Sequence, residues 1–178
     1  MRHEGFTVWL TGMSGAGKTT LAGLLSARLR EKGAKVEMLD GDIARARLSP
    51  GLGFSREDRD AHIRRIGFIS ELLSRNGVIV VVAVISPYRE TRDEVRANIA
   101  NFVEVFVDCP IPVLTERDVK GLYKRALAGE LKHFTGISDP YEAPVSPDVL
   151  IRSDQETAEQ SLDRIWREIE RRGLIRTA

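Results

Sequence analysis

Short apolar runs alternate along the chain with segments whose apolar residues recur at helical spacing, the pattern of a parallel sheet joined by crossover helices. Phe6–Leu10 predicts a first strand; Leu21, Leu24, Leu25 and Leu29 then repeat with helical period until Gly33 supplies a stop. Val36–Leu39 predicts a second, short strand. Ser55 and Asp58 have the spacing of a capping box for a helix whose stripe is Ile63, Ile66, Ile69 and Leu72, with Gly77 as terminator. Val78–Ile85 is apolar without alternation, as a central strand covered on both faces should be. Val103–Val107 and Val149–Ile151 bring the expected total to about five strands. The last helix is expected to start at Ser153, with Glu156 completing a second capping box, to bury Ala158, Leu162, Ile165, Trp166 and Ile169, and to stop before Gly173. The fold class that follows is α/β: a doubly wound parallel sheet with helices on both faces.

Arg117–Pro147 breaks the pattern. It has no strong apolar period and holds Gly121, Gly129, Gly136, Pro140, Pro144 and Pro147, which predicts a mobile lid over about residues 117–147. Its basic residues Arg117, Lys120, Lys124, Arg125 and Lys132 suit a cover over phosphates.

Length and charge narrow the picture. The 178 residues fit a single domain spanning 1–178. With 27 basic and 26 acidic residues the formal charge is +1, so no global field would hold the protein to nucleic acid or a membrane surface, and anionic ligands must be handled locally. One cysteine, Cys109, excludes an intrachain disulfide framework and fits a reducing compartment. No signal peptide is read before the first strand, and Val78–Ile85 is too short to span a bilayer, so a cytoplasmic protein is expected. The histidines His3, His62 and His133 lack metal-ligand spacing.

Gly12-Met13-Ser14-Gly15-Ala16-Gly17-Lys18-Thr19 has the spacing of a phosphate-binding P-loop, and it lies between a predicted strand and a predicted helix, as that loop's mechanism requires. The glycines let backbone N–H groups turn onto the phosphates, Lys18 reaches the β- and γ-phosphates, and Thr19 can ligate Mg²⁺. The fold expected is thus that of the P-loop NTPases. A guanine-specific switch would carry Asn-Lys-x-Asp after a later strand, where this chain reads Asp108-Cys109-Pro110-Ile111. That leaves an ATP-dependent kinase of a small metabolite as the leading class, with a nucleotide-operated switch as its rival.

At Leu39-Asp40-Gly41-Asp42 the second strand ends in two carboxylates, and from there the chain resembles the adenylylsulfate kinase family. The resemblance runs through Gly51-Leu52-Gly53-Phe54-Ser55, Asp58-Arg59, Ile63-Arg64-Arg65-Ile66-Gly67, Ile85-Ser86-Pro87-Tyr88-Arg89, Glu116-Arg117-Asp118-Val119-Lys120-Gly121-Leu122-Tyr123 and Phe134-Thr135-Gly136-Ile137, in order over nearly the whole chain. It implies transfer of the ATP γ-phosphoryl group to the 3′-hydroxyl of adenosine 5′-phosphosulfate with Mg²⁺, a homodimer, and a functional link to ATP sulfurylase. A related kinase with another nucleotide-like acceptor is the alternative.

Several residues carry chemistry beside the P-loop. Asp42, at a strand's carboxyl end, is placed to accept the acceptor hydroxyl's proton or to order Mg²⁺ with Thr19. A 100° step per residue puts Arg59 within about 40° of Ile63 and Ile66, facing inward, where a guanidinium needs an anion. Arg64 and Arg65 fall on the solvated side. The resemblance implies that Arg45 and Arg59 bind the phosphosulfate, that Phe54 and Phe134 sandwich the acceptor adenine, that Lys120 is a further acceptor contact, and that Arg117 and Lys124 approach ATP. Ser86 directly follows the central strand, so its hydroxyl and the Ile85 backbone are expected to face the crevice. Ser86 is then a polar contact in direct transfer rather than a phosphoryl carrier, since the one candidate base, Asp42, is better used on the acceptor. The catalytic set is therefore Lys18, Asp42 and Ser86. Three positions depart from the family pattern: Ile43 and His62 where Asn is usual, and His133 where Gly is common. His62 and His133 both touch the expected nucleotide pocket.

Overall fold

The computed structural model describes residues 2–118 and 120–176. In chain order the elements are β1 (Arg2–His3), β2 (Thr7–Thr11), α1 (Lys18–Glu31), β3 (Val36–Asp40), α2 (Gly41–Leu48), α3 (Arg56–Ser74) and β4 (Ile79–Ala83). They continue with α4 (Arg89–Asn98), β5 (Phe102–Asp108), α5 (Ile111–Arg117), α6 (Leu122–Leu127), β6 (Val149–Arg152), α7 (Ala158–Arg171) and β7 (Ile175–Arg176). Five strands form one parallel sheet in the order β3-β4-β2-β5-β6. These are the five expected strands, shifted by a residue or two at their ends. β1 and β7 pair antiparallel as a separate ribbon, Arg2 opposite Arg176, which nothing in the apolar pattern announces.

Alternation inside the sheet sorts its side chains into two cores. Val8, Leu10, Val81 and Ala83 pack with Leu21 and Leu25 of α1 and Ile165 and Ile169 of α7. Trp9, Val80 and Val82 face the other way, onto Ile63 and Ile66 of α3 and Val95 of α4. Helices therefore cover both faces, and every residue of β2 and β4 is buried, which is why their sequences show no polar alternation.

Three expectations change. The Ser55 hydroxyl accepts from Asp58 N as predicted, but the Asp58 carboxylate accepts from Gly53 N at 3.0 Å instead of reaching back to Ser55. Only half of the capping box forms, because Asp is one methylene shorter than the Glu or Gln that closes it. The last helix starts at Ala158, not at Ser153. Thr157 caps it, its hydroxyl accepting from Gln160 N while Gln160 accepts from Thr157 N, a complete box. Glu156 is used instead on Arg152 N and on Arg164. The expected lid also begins at the last residue of one short helix, α5, and contains another, α6; the Asp118 carboxylate accepts from Tyr123 N and Lys124 N and so caps α6.

Helix α4 has no counterpart in the apolar pattern. Its buried face consists of Thr91, Arg92 and Val95, so two of three inward residues are polar and the hydrophobic stripe that announces a helix is missing.

Candidate active site

The carboxyl ends of β2, β3 and β4 open into a crevice of about 280 Å³ whose walls include Lys18, Thr19, Asp40, Asp42 and Ile85. Ligands of open parallel sheets sit at this end, where the connections diverge to opposite faces. The P-loop forms its floor between β2 and α1. At Gly12, φ is +152° and a Cβ would lie 2.3 Å from the Val107 carbonyl oxygen, so only glycine lets the loop leave β2 this close to β5.

Lys18 is nearly covered, and its Nζ donates to the Met13 carbonyl across the loop at 2.7 Å. Burial, helped by the neighbouring Lys120, brings its ammonium down to about 7, against the opposing pull of Asp40 and Asp42. An ammonium that stays protonated only with difficulty is primed for an anion.

The two carboxylates after β3 divide the work differently from the expected Thr19–Asp42 pairing. Asp40 caps α2, accepting from Asp42 N at 3.0 Å through Oδ1, and its Oδ2 accepts from the Thr19 hydroxyl at 2.8 Å. The structure sets the Asp40 carboxylate against Thr19, and the Asp42 carboxylate bonds neither of them. Its side chain is 80% exposed and pairs with the Lys120 ammonium of the lid. Asp40 was legible only as half of a carboxylate pair; its role depends on the cap, which a sequence spacing does not display. Among the described residues no group of three or more His, Cys, Asp or Glu side chains could hold a metal ion by itself.

Ser86 lies outside the crevice walls. It has φ +42° and is 2% exposed. Its hydroxyl accepts from Trp9 Nε1–H at 3.1 Å and donates to the Thr11 hydroxyl at 2.9 Å. Thr11 gives its own hydrogen to the Ile85 carbonyl at 2.7 Å, so the Tyr141 hydroxyl 2.9 Å away must be the donor in their contact. The expectation that the Ser86 hydroxyl faces the crevice is not met; Ile85 does face it.

Arg59 points inward as its helical phase predicts and is 7% exposed. It donates through Nε to the Phe54 carbonyl at 2.9 Å and through Nη2 to the His133 carbonyl, with the Asp139 carboxylate 3.9 Å away as its anion. One guanidinium thus fastens together the loops that carry Phe54 and Phe134. Phe54 is half exposed and lies under the Arg45 and Arg59 guanidiniums, at 4.8 and 5.4 Å. Arg45 also donates to the Gly53 carbonyl, and burial with Arg59 nearby lowers its pKa from the usual arginine value. Arg64 and Arg65 are exposed, as read.

The other candidates occupy the lid and its surroundings. Phe134 meets Tyr123 edge to face at 5.0 Å, and the Tyr123 hydroxyl donates to the Ser14 carbonyl at 2.8 Å, which anchors the lid on the P-loop. A Cβ on Gly136 would lie 2.6 Å from Met13 Sδ, so the same loop packs against the P-loop a second time. His133 has φ +57°, a position where glycine is at ease, and its ring lies 3.4 Å from the Asp139 carboxylate. His62 is buried and shares a hydrogen with the Ser49 hydroxyl at 2.8 Å, joining α3 to the end of α2. Burial and then Arg45 bring its imidazole down to about 4. Arg117 is held away from the phosphate crevice by the Ser153 carbonyl at 2.7 Å, at the end of β6. The sequence does not announce Tyr123 or Tyr141 as site residues: Tyr123 follows Gly121-Leu122 in the lid, but nothing in the spacing assigns either hydroxyl a partner.

A phosphate cradle, carboxylates across from it and a basic flap anchored over both are what direct phosphoryl transfer to a small acceptor demands, and the molecule is a P-loop kinase. A family model described as Adenylylsulphate kinase matches residues 4–152, and the chain belongs to that family. It is 60% identical over 175 residues to the adenylyl-sulfate kinase of Rippkaea orientalis, covering 98% of this chain and 97% of that one. It is 59% identical over 172 residues to a probable bifunctional SAT/APS kinase of Sorangium cellulosum, covering 97% of this chain but 30% of that longer protein. Among solved structures, the Mycobacterium tuberculosis APS kinase in complex with AMPPNP and APS superposes with a TM-score of 0.90 at 40% identity, covering 95% of this chain and 99% of the other.

Proposed function

We propose that the protein transfers the γ-phosphoryl group of ATP to the 3′-hydroxyl of adenosine 5′-phosphosulfate, releasing 3′-phosphoadenosine 5′-phosphosulfate and ADP. The observation that carries this reading is Arg59, whose guanidinium ties the Phe54 loop to the His133-Phe134 loop. Two aromatic rings on fastened loops, with Arg45 beside them, suit a flat base attached to an anionic tail. The complex of the Mycobacterium relative with AMPPNP and APS supports the same pair of ligands.

The P-loop N–H groups and Lys18 hold the donor phosphates, and binding them restores the positive charge that burial disfavours on Lys18. Thr19 and Asp40 offer hard oxygens 2.8 Å apart, a donor set that would hold Mg²⁺. When bound, the ion neutralises charge on the donor phosphates. Asp42 is the exposed carboxylate left to take the acceptor proton, and Lys120 leaves it for the phosphosulfate as the lid settles. Since the Ser86 hydroxyl is committed to Trp9 and Thr11, transfer is direct and Ser86 shapes the wall through Ile85. The protein works in the cytoplasm as a homodimer, supplied by an ATP sulfurylase activity; light scattering checks the oligomer.

ADP release measured against a panel of nucleotide-like acceptors tests the function. Turnover should require adenosine 5′-phosphosulfate and fall by at least about a thousandfold in Lys18→Ala, the scale of losing a main charge-neutralising group. Turnover driven by a different acceptor would overturn the reading in favour of a related kinase.

A further inference from the structure

We propose that Arg92 is a positioning residue for the acceptor side of the site, acting through the backbone of Ser86. Arg92 is 1% exposed on α4 and does not border the crevice. Its three nitrogens each have a different acceptor. Nη1 donates to the Ser86 carbonyl at 2.6 Å, Nη2 to the Glu142 carbonyl, and Nε to the Glu104 carboxylate on β5 at 3.2 Å. A structural ion pair needs only the last of these. The other two join the loop after β4 to the segment that ends the lid, and that joint is doubled: Glu142 N donates to the Pro87 carbonyl, and the Glu142 carboxylate accepts from Arg89 N.

The fixed point of this arrangement is a residue in an unfavourable conformation. Ser86, at φ +42°, occupies the left-handed region without being glycine, an unfavourable state that persists only where the surroundings over-determine it. Arg92 grips its carbonyl while Trp9 and Thr11 grip its hydroxyl. The neighbour whose direction this settles is Ile85, which does line the crevice. Because β4 lies between β3, with its terminal carboxylates, and β2, with the P-loop, Ile85 stands on the β3 side of the phosphate floor, away from β5 and β6. A small rotation of the Ile85–Ser86 peptides would therefore misplace the acceptor and leave the donor cradle intact. Arginine is required rather than lysine because three acceptors in different directions match the planar fork and not a single ammonium.

The proposal rests on the kinase reading above, and the two fail differently: the unmodified enzyme inactive on adenosine 5′-phosphosulfate sinks that reading, whereas an active enzyme with an indifferent Arg92 sinks only this one. Steady-state kinetics of Arg92→Lys, varying each substrate in turn, should show kcat/KM for the acceptor lower by about ten- to a hundredfold while KM for ATP stays within about twofold, the split expected when orientation of one substrate is lost. Glu104→Gln, which keeps the Ser86 and Glu142 bonds, should lower the melting temperature without that split. Should Arg92→Lys not fold, Arg92→Gln is read in the same way: its amide reaches only as far as the arginine Nε, so it keeps a donor for Glu104 and loses both carbonyls. Equal losses for both substrates, no loss in a folded variant, or failure of both variants to fold would each make Arg92 purely structural and overturn the proposal.

Discussion

At Lys18 the cost of burial and the work of the site are the same fact. An ammonium held near 7 by its surroundings is mostly neutral in the free enzyme at pH 8, and triphosphate binding must protonate it. Nucleotide binding should then take up close to about one proton at pH 8, and affinity should fall as the pH rises above 7. Titration calorimetry in two buffers of different ionisation heat checks this; identical heats would show that Lys18 is already charged. His62 works in the opposite direction. Its folded pKa of about 4 lies below the ordinary 6.5, so as pH falls the unfolded chain takes the proton first and stability is lost between those values. Between pH 7 and pH 5 the loss from this one residue is at most about 2 kcal/mol, and denaturant unfolding of His62→Asn should show a correspondingly flatter pH dependence. Residue identity revealed Lys18 because the P-loop's spacing alone fixes its place. It did not divide Asp40 from Asp42, since helix capping decides which carboxylate turns to Thr19, nor foresee that Ser86 turns inward, since a positive φ on serine leaves no trace in the sequence.

Elements were legible in proportion to their apolar surface. The buried strands and the leucine stripe of α1 show plainly, whereas α4, with Arg92 and Thr91 on its inner face, shows not at all, and α5 and α6 are too short to display a period. Caps mislead when two boxes compete: Ser153 with Glu156 reads as well as Thr157 with Gln160, and the first loses because Ser153 N is already bonded to the Asp108 carbonyl at the end of β5. The lid's grip on the P-loop is testable at this scale. Tyr123→Phe removes the bond to the Ser14 carbonyl, worth about 1 kcal/mol, so amide exchange over residues 121–137 of the free enzyme should quicken about fivefold. Saturating nucleotide and acceptor should slow exchange there in both proteins. Unchanged protection would mean that Met13 and Gly136 hold the loop without Tyr123.

For the molecule as a whole, the strand order turns a linear list of motifs into a site with two sides, the carboxylates of β3 across from the P-loop and β5 and β6 beyond it. The ribbon of β1 and β7 has a different consequence. With Arg2 paired to Arg176, the polypeptide enters and leaves at one edge, far along the sequence but adjacent in space. Such a body can be spliced into a longer chain as a side loop, held by a single stem, without its host having to stretch. Joining the two strands through a short glycine-serine linker and opening new ends at the exposed Lys32–Gly33 turn should give a ring-shifted protein that folds and keeps its kinase activity within about threefold of the parent, measured by ADP release.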